Sequence, residues 1–405
     1  MLNKKTPFLD KLYMLALVLL PSISQYKVGP LDLDVVIILA FLVAFLYRHR
    51  LLQITPVNKK AFRIVAYIAL ITFANLLIGE KFSPNSDIVL RTGRYCLYLM
   101  VVFFLGSRSV NYTELMRIYR VIAYAASFYI MLQAVFYYGA GITLPNKIGG
   151  NVMEGQQLGV GRLRSFYSEP AELGYNLLPF IVCSLFGANY KKSEGNRYID
   201  ALIVTVAVTI STSGQGVVSA AIVWGLWILS HIVKGDIKAK EFLLVVGVAV
   251  ATFILYESGI LEFTLGRVET DSDTGAIAAR SSGYQSLALL SPVQMLFGTG
   301  FGNYVVQNSF NLDVVYEFIN YSTIAEFLFT LGILGTMLWL VLFLLIFRKG
   351  NACVKLMIVA MLVLSIYGCP MTGKHFPLWL TLMCIQLPEG IYVRQEIYRP
   401  AHEPK

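Results

Sequence analysis

Apolar runs of roughly 17 to 25 residues recur along most of this chain, separated by short polar breaks, and each is long enough to cross the hydrocarbon core of a bilayer as a helix. Helices meet that setting because every backbone N–H and C=O is then satisfied within the segment itself. Only 14% of the residues are charged, where a soluble domain carries about a quarter, and 57% are hydrophobic. The 405 residues therefore read as one all-α, polytopic integral membrane bundle, not as two or three soluble domains.

Spans are predicted near 12–26, 31–47, 62–79, 94–107, 117–138, 172–189, 199–213, 217–233, 242–257, 323–347, 353–369 and 376–392, about twelve in all. Around "VTISTSGQGVVSAAI" the pattern admits either a helix hairpin or one broken helix. Lys4 and Lys5 ahead of an apolar core resemble a signal peptide, but the alanine-type cleavage site is missing, so the first helix is expected to stay. The five cysteines show no CxxC spacing and are expected to pack as small apolar residues.

Positive loops stay cytoplasmic during insertion. With the N-terminus inside, about 23 of the 33 basic residues fall on one side, so both termini are expected in the cytoplasm. The net charge of +9 is then mostly a topology signal and gives no reason to expect a nucleic-acid partner. Two enlarged segments, about 139–171 and 258–322, are left on the outer face, where any chemistry is expected.

The first of them ends in "GRLRSFYSEPAELGYNLLPF", where Arg162, Arg164, Glu169 and Glu172 crowd the start of an apolar run. An extended chain places Arg162 and Arg164 on one side, two guanidinium forks that suit one diphosphate. Glu169 followed by Pro170 marks a helix start. A plainer reading has Ser168 capping that helix, the glutamates favouring its N-terminal dipole and the arginines reaching head groups. So many charges at a membrane border are costly unless paired or used, which favours function for the set.

In the second segment, "TGAIAARSSGYQSLALLSPVQMLFG", in which Arg280 stands, spaces Ile277, Leu287, Leu290 and Met295 as a short helix lying on or dipping into the membrane surface. Arg280 reads equally as a ligand cation or a head-group anchor, and Arg267 as an anchor. "TGKHFPLW" sets Lys374 beside His375, the one histidine predicted outside. That pair suits phosphate binding or proton relay, and an interfacial anchor beside Trp379 is the alternative. The acidic run from Glu269 to Asp273 lacks the glycine and closing glutamate of a calcium loop and reads as solvated; no metal or cofactor is required. The glycines of "FGTGFGNY" do not form GxGxxG and are expected to make a tight turn.

"RLRSFYSEPAELG" resembles the Arg-x-x-x-Phe-x-Glu-Pro signature before a transmembrane helix in Wzy-type bacterial polysaccharide polymerases and, more loosely, in O-antigen ligases. "STSGQGVVSAAI", "AARSSGYQSLALL" and "LFGTGFGNY" are similar to further features of that superfamily, as is the layout with two enlarged outer loops. Where the family often has Ser-x-Ser-Arg-x-Gly this chain has Ser-Thr-Ser-Gly-Gln, and the Arg-x10-Gly motifs of some members are absent.

The resemblance implies a GT-C-like glycosyltransferase of a bacterial inner membrane that moves a glycan from one undecaprenyl diphosphate to a sugar hydroxyl of the next lipid-linked repeat unit. It implies as partners those lipid-linked oligosaccharides, and a chain-length regulator and flippase of the same pathway. Fixed arginines near the departing diphosphate stabilise developing charge, a role that falls to Arg164 and Arg280 with Arg162 in support. Glu169 is the first candidate base, His375 a further catalytic candidate, and Tyr167 and Lys374 candidate contacts to glycan or diphosphate. A ligase differs only in the acceptor. A transporter of a lipid-linked oligosaccharide is the reading from another class, and it calls for buried charges or broken helices near the midplane.

Overall fold

The computed structural model describes residues 7–29, 31–48, 55–79, 83–105, 109–147, 156–157, 160–161, 163–187, 197–234, 247, 283–303, 321–388 and 390–392. Twelve helices of α type carry most of the described chain: α1 (Phe8–Ile23), α2 (Leu33–Arg48), α3 (Pro56–Ile78), α4 (Asn85–Met100), α5 (Tyr112–Ala140), α6 (Pro170–Phe186), α7 (Arg197–Ile210), α8 (Gly214–Lys234), α9 (Pro292–Phe297), α10 (Thr323–Lys349), α11 (Ala352–Tyr367) and α12 (Phe376–Cys384). Two antiparallel ladders are the only strands among the described residues: β1 (Lys27–Val28) with β2 (Leu31–Asp32), and β3 (Gln156–Gln157) with β4 (Val160–Gly161).

Every predicted span falls on a helix except 242–257, which apart from residue 247 lies outside the described residues. Among the described residues four helices are long and apolar enough to cross a membrane: α3, α5, α10 and Gly214–Val233 of α8. Shorter apolar helices are Leu33–Tyr47, α6 and Ala352–Ile366. The chain is thus an all-α protein of membrane type.

Local sequence sets the ends. Thr55 accepts from the Asn58 amide and Pro56 opens α3, while Asn111, Ser322 and Asn351 accept from Glu114, Ala325 and Val354 to start α5, α10 and α11. Gly141, in the left-handed region, ends α5. Between α7 and α8 the chain turns at Ser211–Ser213, with Thr212 at φ 53°, so "STSGQG" forms a hairpin of two packed helices and not a broken helix. α8 then crosses α6 at Gly216 and Gly174, where a Cβ on Gly174 would lie 3.1 Å from the Gly216 Cα.

Contacts between distant segments define two ends of the bundle. At one end Lys11 meets Glu114 at 3.2 Å, Arg120 meets Asp200 at 2.9 Å, Cys183 lies 3.8 Å from Cys353, and the Val57 amide donates to Ile391. At the other, Gln25 donates to the Phe166 carbonyl at 2.7 Å, Thr323 N–H to Gly368 at 2.7 Å, and the Ser83 amide to Asn303. That second end carries the starts of α4, α6, α10 and α12. The core between them is apolar and aromatic, with Tyr119, Phe180, Trp339 and Trp379 fully enclosed.

Candidate functional site

The segment before α6 is held from behind. Ser165, at φ 54°, donates its amide to Gln133 at 2.8 Å and its hydroxyl to the Ala126 carbonyl at 2.9 Å. Tyr167 is fully buried, accepts from Asn176 at 2.7 Å through its hydroxyl, and accepts from Asn146 through its carbonyl. With its backbone so fixed, the segment presents Arg164, half-buried, whose guanidinium donates to the Ser168 carbonyl at 2.6 Å; its Nε has no hydrogen-bond partner among the described residues. Glu169 is the helix cap, extended and exposed, and makes no side-chain capping bond. The Ser168 hydroxyl turns instead to the Glu172 carboxylate. The helix start predicted at Pro170 is observed, and the cap is backbone-defined at Glu169, not a Ser168 side chain.

Residues 368–375, between α11 and α12, join this segment to the rest of the site. Gly368 accepts from the Thr323 amide, the Thr372 hydroxyl hydrogen-bonds the Glu326 carboxylate, and Lys374 lies within electrostatic reach of Glu172. His375 is 2% exposed and stacks on Tyr175 with ring centroids 4.7 Å apart. Neither of its ring nitrogens makes a well-formed hydrogen bond among the described residues, and burial pushes its pKa down to about 3, so the ring is neutral. Tyr175 in turn donates to Gln215 of "STSGQG" and accepts from Trp379 Nε1 at 2.8 Å. Three motifs far apart in sequence meet at one residue.

On the other side of the same loop lies a cavity of about 170 Å³, lined by Arg91, Arg94, Tyr95, Tyr98, Phe301, Gly302, Tyr321, Glu326, Cys369 and Thr372. α4 supplies Arg91, Arg94, Tyr95 and Tyr98, spaced i, i+3, i+4 and i+7 along one helical face. Arg94 pairs with Asp32 of β2 at 3.0 Å, and Tyr98 donates to Asp34 at the start of α2. Tyr95 stacks on Phe301 at 4.4 Å; its hydroxyl is buried and without a hydrogen-bond partner among the described residues, an omission that costs about 1–3 kcal/mol unless a ligand or water fills it.

The glycines of "FGTGFGNY" build one wall. Gly298, Gly300 and Gly302 stand at φ 87°, 93° and 77°, the turn expected from sequence. The Phe301 amide donates to Thr72 at 2.9 Å, its carbonyl accepts from Thr92 at 2.8 Å, and the Gly300 amide donates to the Thr330 carbonyl beside the α10 kink at Gly332. So clamped, the turn fixes Phe301 against Tyr95. α9 before it, opened by a Ser291–Gln294 capping box, exposes Val293, Met295, Leu296 and Phe297; of the expected surface helix it holds only Met295, since Leu287 stands in a separate 3₁₀ turn (Ser286–Leu289), Leu290 is extended and buried, and Ile277 lies outside the described residues.

The structure therefore brings Arg164, Glu169, Tyr167, Lys374 and His375 to one end of the bundle, with Tyr167 and His375 enclosed beneath the surface. Arg162, Arg280, Arg267 and the acidic run 269–273 lie outside the described residues. Arg91, Arg94 and Glu326 are the lining charges that sequence reasoning did not select. The signal for the first two was the helical spacing of "RTGRYCLY", which a search for apolar windows passes over. Among the described residues no group of three or more His, Cys, Asp or Glu side chains is placed to hold a metal ion.

No protein-family model matches the chain, and no curated protein matches it. The functional reading stands on the residues and their arrangement.

Proposed function

We propose that the protein is a membrane glycosyltransferase that polymerises undecaprenyl diphosphate-linked oligosaccharide repeat units at the outer leaflet of a bacterial cytoplasmic membrane, on a GT-C-like bundle of about twelve spans with both termini inside. The observation that carries this reading is the gathering, at one end of an otherwise apolar helical bundle, of Arg164, Glu169, Glu172, Lys374 and the Arg91–Arg94–Glu326 cavity, from segments about 280 residues apart in sequence. Transfer from a lipid diphosphate needs fixed cations where the leaving group gains charge. Arg164 and Lys374 supply them; Arg162 and Arg280, assigned the same role by the sequence resemblance, lie outside the described residues. It also needs a carboxylate to accept the proton of the attacking hydroxyl, and this end offers Glu169 on the exposed cap and Glu326 in the cavity.

One observation favours a transporter as second reading: Arg91, Arg94 and Glu326 sit within helices and line an internal cavity, as a substrate path would require. Purified protein in vesicles with its host's undecaprenyl diphosphate repeat unit separates the two. A ladder of lipid-linked oligomers on a gel supports the polymerase; transfer to an added lipid acceptor alone points to a ligase; passage of the lipid-linked unit across the bilayer without either product overturns the enzyme reading. Within the ladder assay Arg164→Ala is expected to lower the rate about 10- to 100-fold at unchanged folding, the scale of one lost charge-assisted contact to the leaving group. A wild-type rate removes Arg164 from the chemistry.

A further inference from the structure

Charge is matched inside the cavity. The two guanidinium groups that line it, Arg91 and Arg94, face the Glu326 carboxylate within and the Asp32 carboxylate at 3.0 Å on Arg94, and Asp34 adds another carboxyl group behind Tyr98. A phosphate entering here would find its cations already paired and would bring negative charge beside two carboxylates, at a desolvation cost those cations cannot repay. The cavity holds instead many hydrogen-bonding groups in fixed directions beside flat apolar faces.

Tyr95 combines both. Its ring stacks on Phe301 at 4.4 Å and runs nearly parallel to Phe376, while its hydroxyl, 4% exposed as a residue, has no partner among the described residues. Around it stand the Glu326 carboxylate, an acceptor of several hydrogen bonds, the Thr372 hydroxyl and the Arg91 fork. A buried hydroxyl left open in a polar cavity points to a ligand that completes it. A carboxylate, a guanidinium and hydroxyls grouped in one cavity suit a neutral, polyhydroxylated ring whose hydroxyls take the polar groups. The space of about 170 Å³ is more than ten times the 10–15 Å³ that holds one water, room enough for a sugar ring.

We infer that this cavity is a saccharide subsite that seats one sugar ring of the acceptor, with Glu326 taking the proton of the attacking hydroxyl. The proton step rests on the glycosyl-transfer reading; the binding of a sugar ring does not. In the step, the acceptor oxygen forms a bond to the donor's anomeric carbon, the bond from that carbon to the diphosphate oxygen breaks with its electron pair going to the diphosphate, and the hydroxyl proton passes to the Glu326 carboxylate. Residues 368–375 fit the subsite to the cationic segment, because Thr372 holds Glu326 and Lys374, two residues on, faces Glu172. Acceptor and leaving group are thereby served from opposite sides of one short loop.

The test uses the full-length protein in nanodiscs, with two probes followed by titration calorimetry: the free, unphosphorylated repeat-unit oligosaccharide released from the host's lipid, and inorganic pyrophosphate. Tyr95→Phe is expected to weaken oligosaccharide binding about fivefold and Glu326→Gln about tenfold, with pyrophosphate binding unchanged in both. Because the Tyr95 hydroxyl has no partner to lose, Tyr95→Phe should fold with a thermal midpoint no lower than that of the wild type, and it decides the matter if Glu326→Gln does not fold. Pyrophosphate that competes with the oligosaccharide and binds more tightly in Glu326→Gln would make the cavity an anion site and overturn the inference, as would oligosaccharide affinity indifferent to both substitutions. In the ladder assay, Glu326→Gln should lose at least a hundredfold in rate and Glu326→Asp recover part of it. A wild-type ladder undiminished in Glu326→Gln overturns the proton role while leaving the polymerase reading intact; oligosaccharide binding through Tyr95 and Glu326 without any ladder supports the subsite and overturns the polymerase.

Discussion

A neutral histidine lies under the loop that connects the two halves of the site. His375 is enclosed against Tyr175, and burial, opposed only in part by the Pro370 backbone, pushes its titration down to about 3 from the ordinary 6.5. The unfolded chain binds a proton on this ring below about pH 6.5 and the folded chain does not, so stability is fully present above that pH and is lost as pH falls toward 3. The slope cannot exceed about 1.4 kcal/mol per pH unit for one proton. Thermal unfolding in detergent at pH 7 and pH 5 should show a lower midpoint at pH 5, and His375→Phe, which keeps a ring on Tyr175, should remove part of that difference. An equal pH response in the variant would mean that His375 carries charge in the folded state. At this scale the sequence shows which residues are ionisable at a border, and so Arg164, Glu169 and Lys374 were legible. Whether a tyrosine or a histidine turns its ring into the core depends on partners remote in sequence, such as Asn176 for Tyr167, and no local pattern carries that.

Among the elements, the turn at 298–303 positions the cavity wall. Gly300 stands at φ 93°, where an L side chain is strained, and a Cβ there would lie 3.1 Å from the Thr72 Cα of α3. Gly300→Ala is therefore expected to cost roughly 1–3 kcal/mol of stability and to loosen Phe301 from Tyr95. The checks are a lower midpoint of thermal unfolding and a weaker response to the oligosaccharide probe; unchanged values in both would mean that the turn does not hold the wall. Glycine spacing made this turn visible in sequence, but its neighbours α3, α4 and α10 were not. The helices themselves were legible because lipid-exposed backbone must close its own hydrogen bonds, and the apolar runs mark where it does so. α4 is the instructive exception. Its first turns, "NSDIVLRTG", are too polar for an apolar window, so a start near 94 was expected where the helix begins at Asn85; Arg91 was placed before the helix and Arg94 at its first residue, when both stand on its inward face. A functional helix face reads as the end of a span when hydropathy is the only guide.

Across the whole molecule the two ends differ in charge as well as in chemistry. Lys11, Lys59, Lys60, Arg117 and Arg120 lie toward the end that carries the starts of α1, α3 and α5, together with Arg348, Lys349 and Lys355 around the α10–α11 connection. The opposite end holds fewer cations among the described residues; of these Arg94 pairs with Asp32 and Lys374 lies within electrostatic reach of Glu172. Basic loops resist translocation, so the first end should face the cytoplasm and the site should face outward. Glu169 and Lys59, one at each end, are both exposed and suit a labelling test. In a background with the five native cysteines replaced, Glu169→Cys in intact cells should react with a membrane-impermeant maleimide, and Lys59→Cys should react only after permeabilisation. The reverse pattern would place the site in the cytoplasm, where a glycan donor can carry a nucleotide, and would remove the reason for assigning Arg164 and Lys374 to a lipid diphosphate. Outward labelling at Glu169 would leave the acceptor sugar, and not the side of the membrane, as the open variable of the reaction.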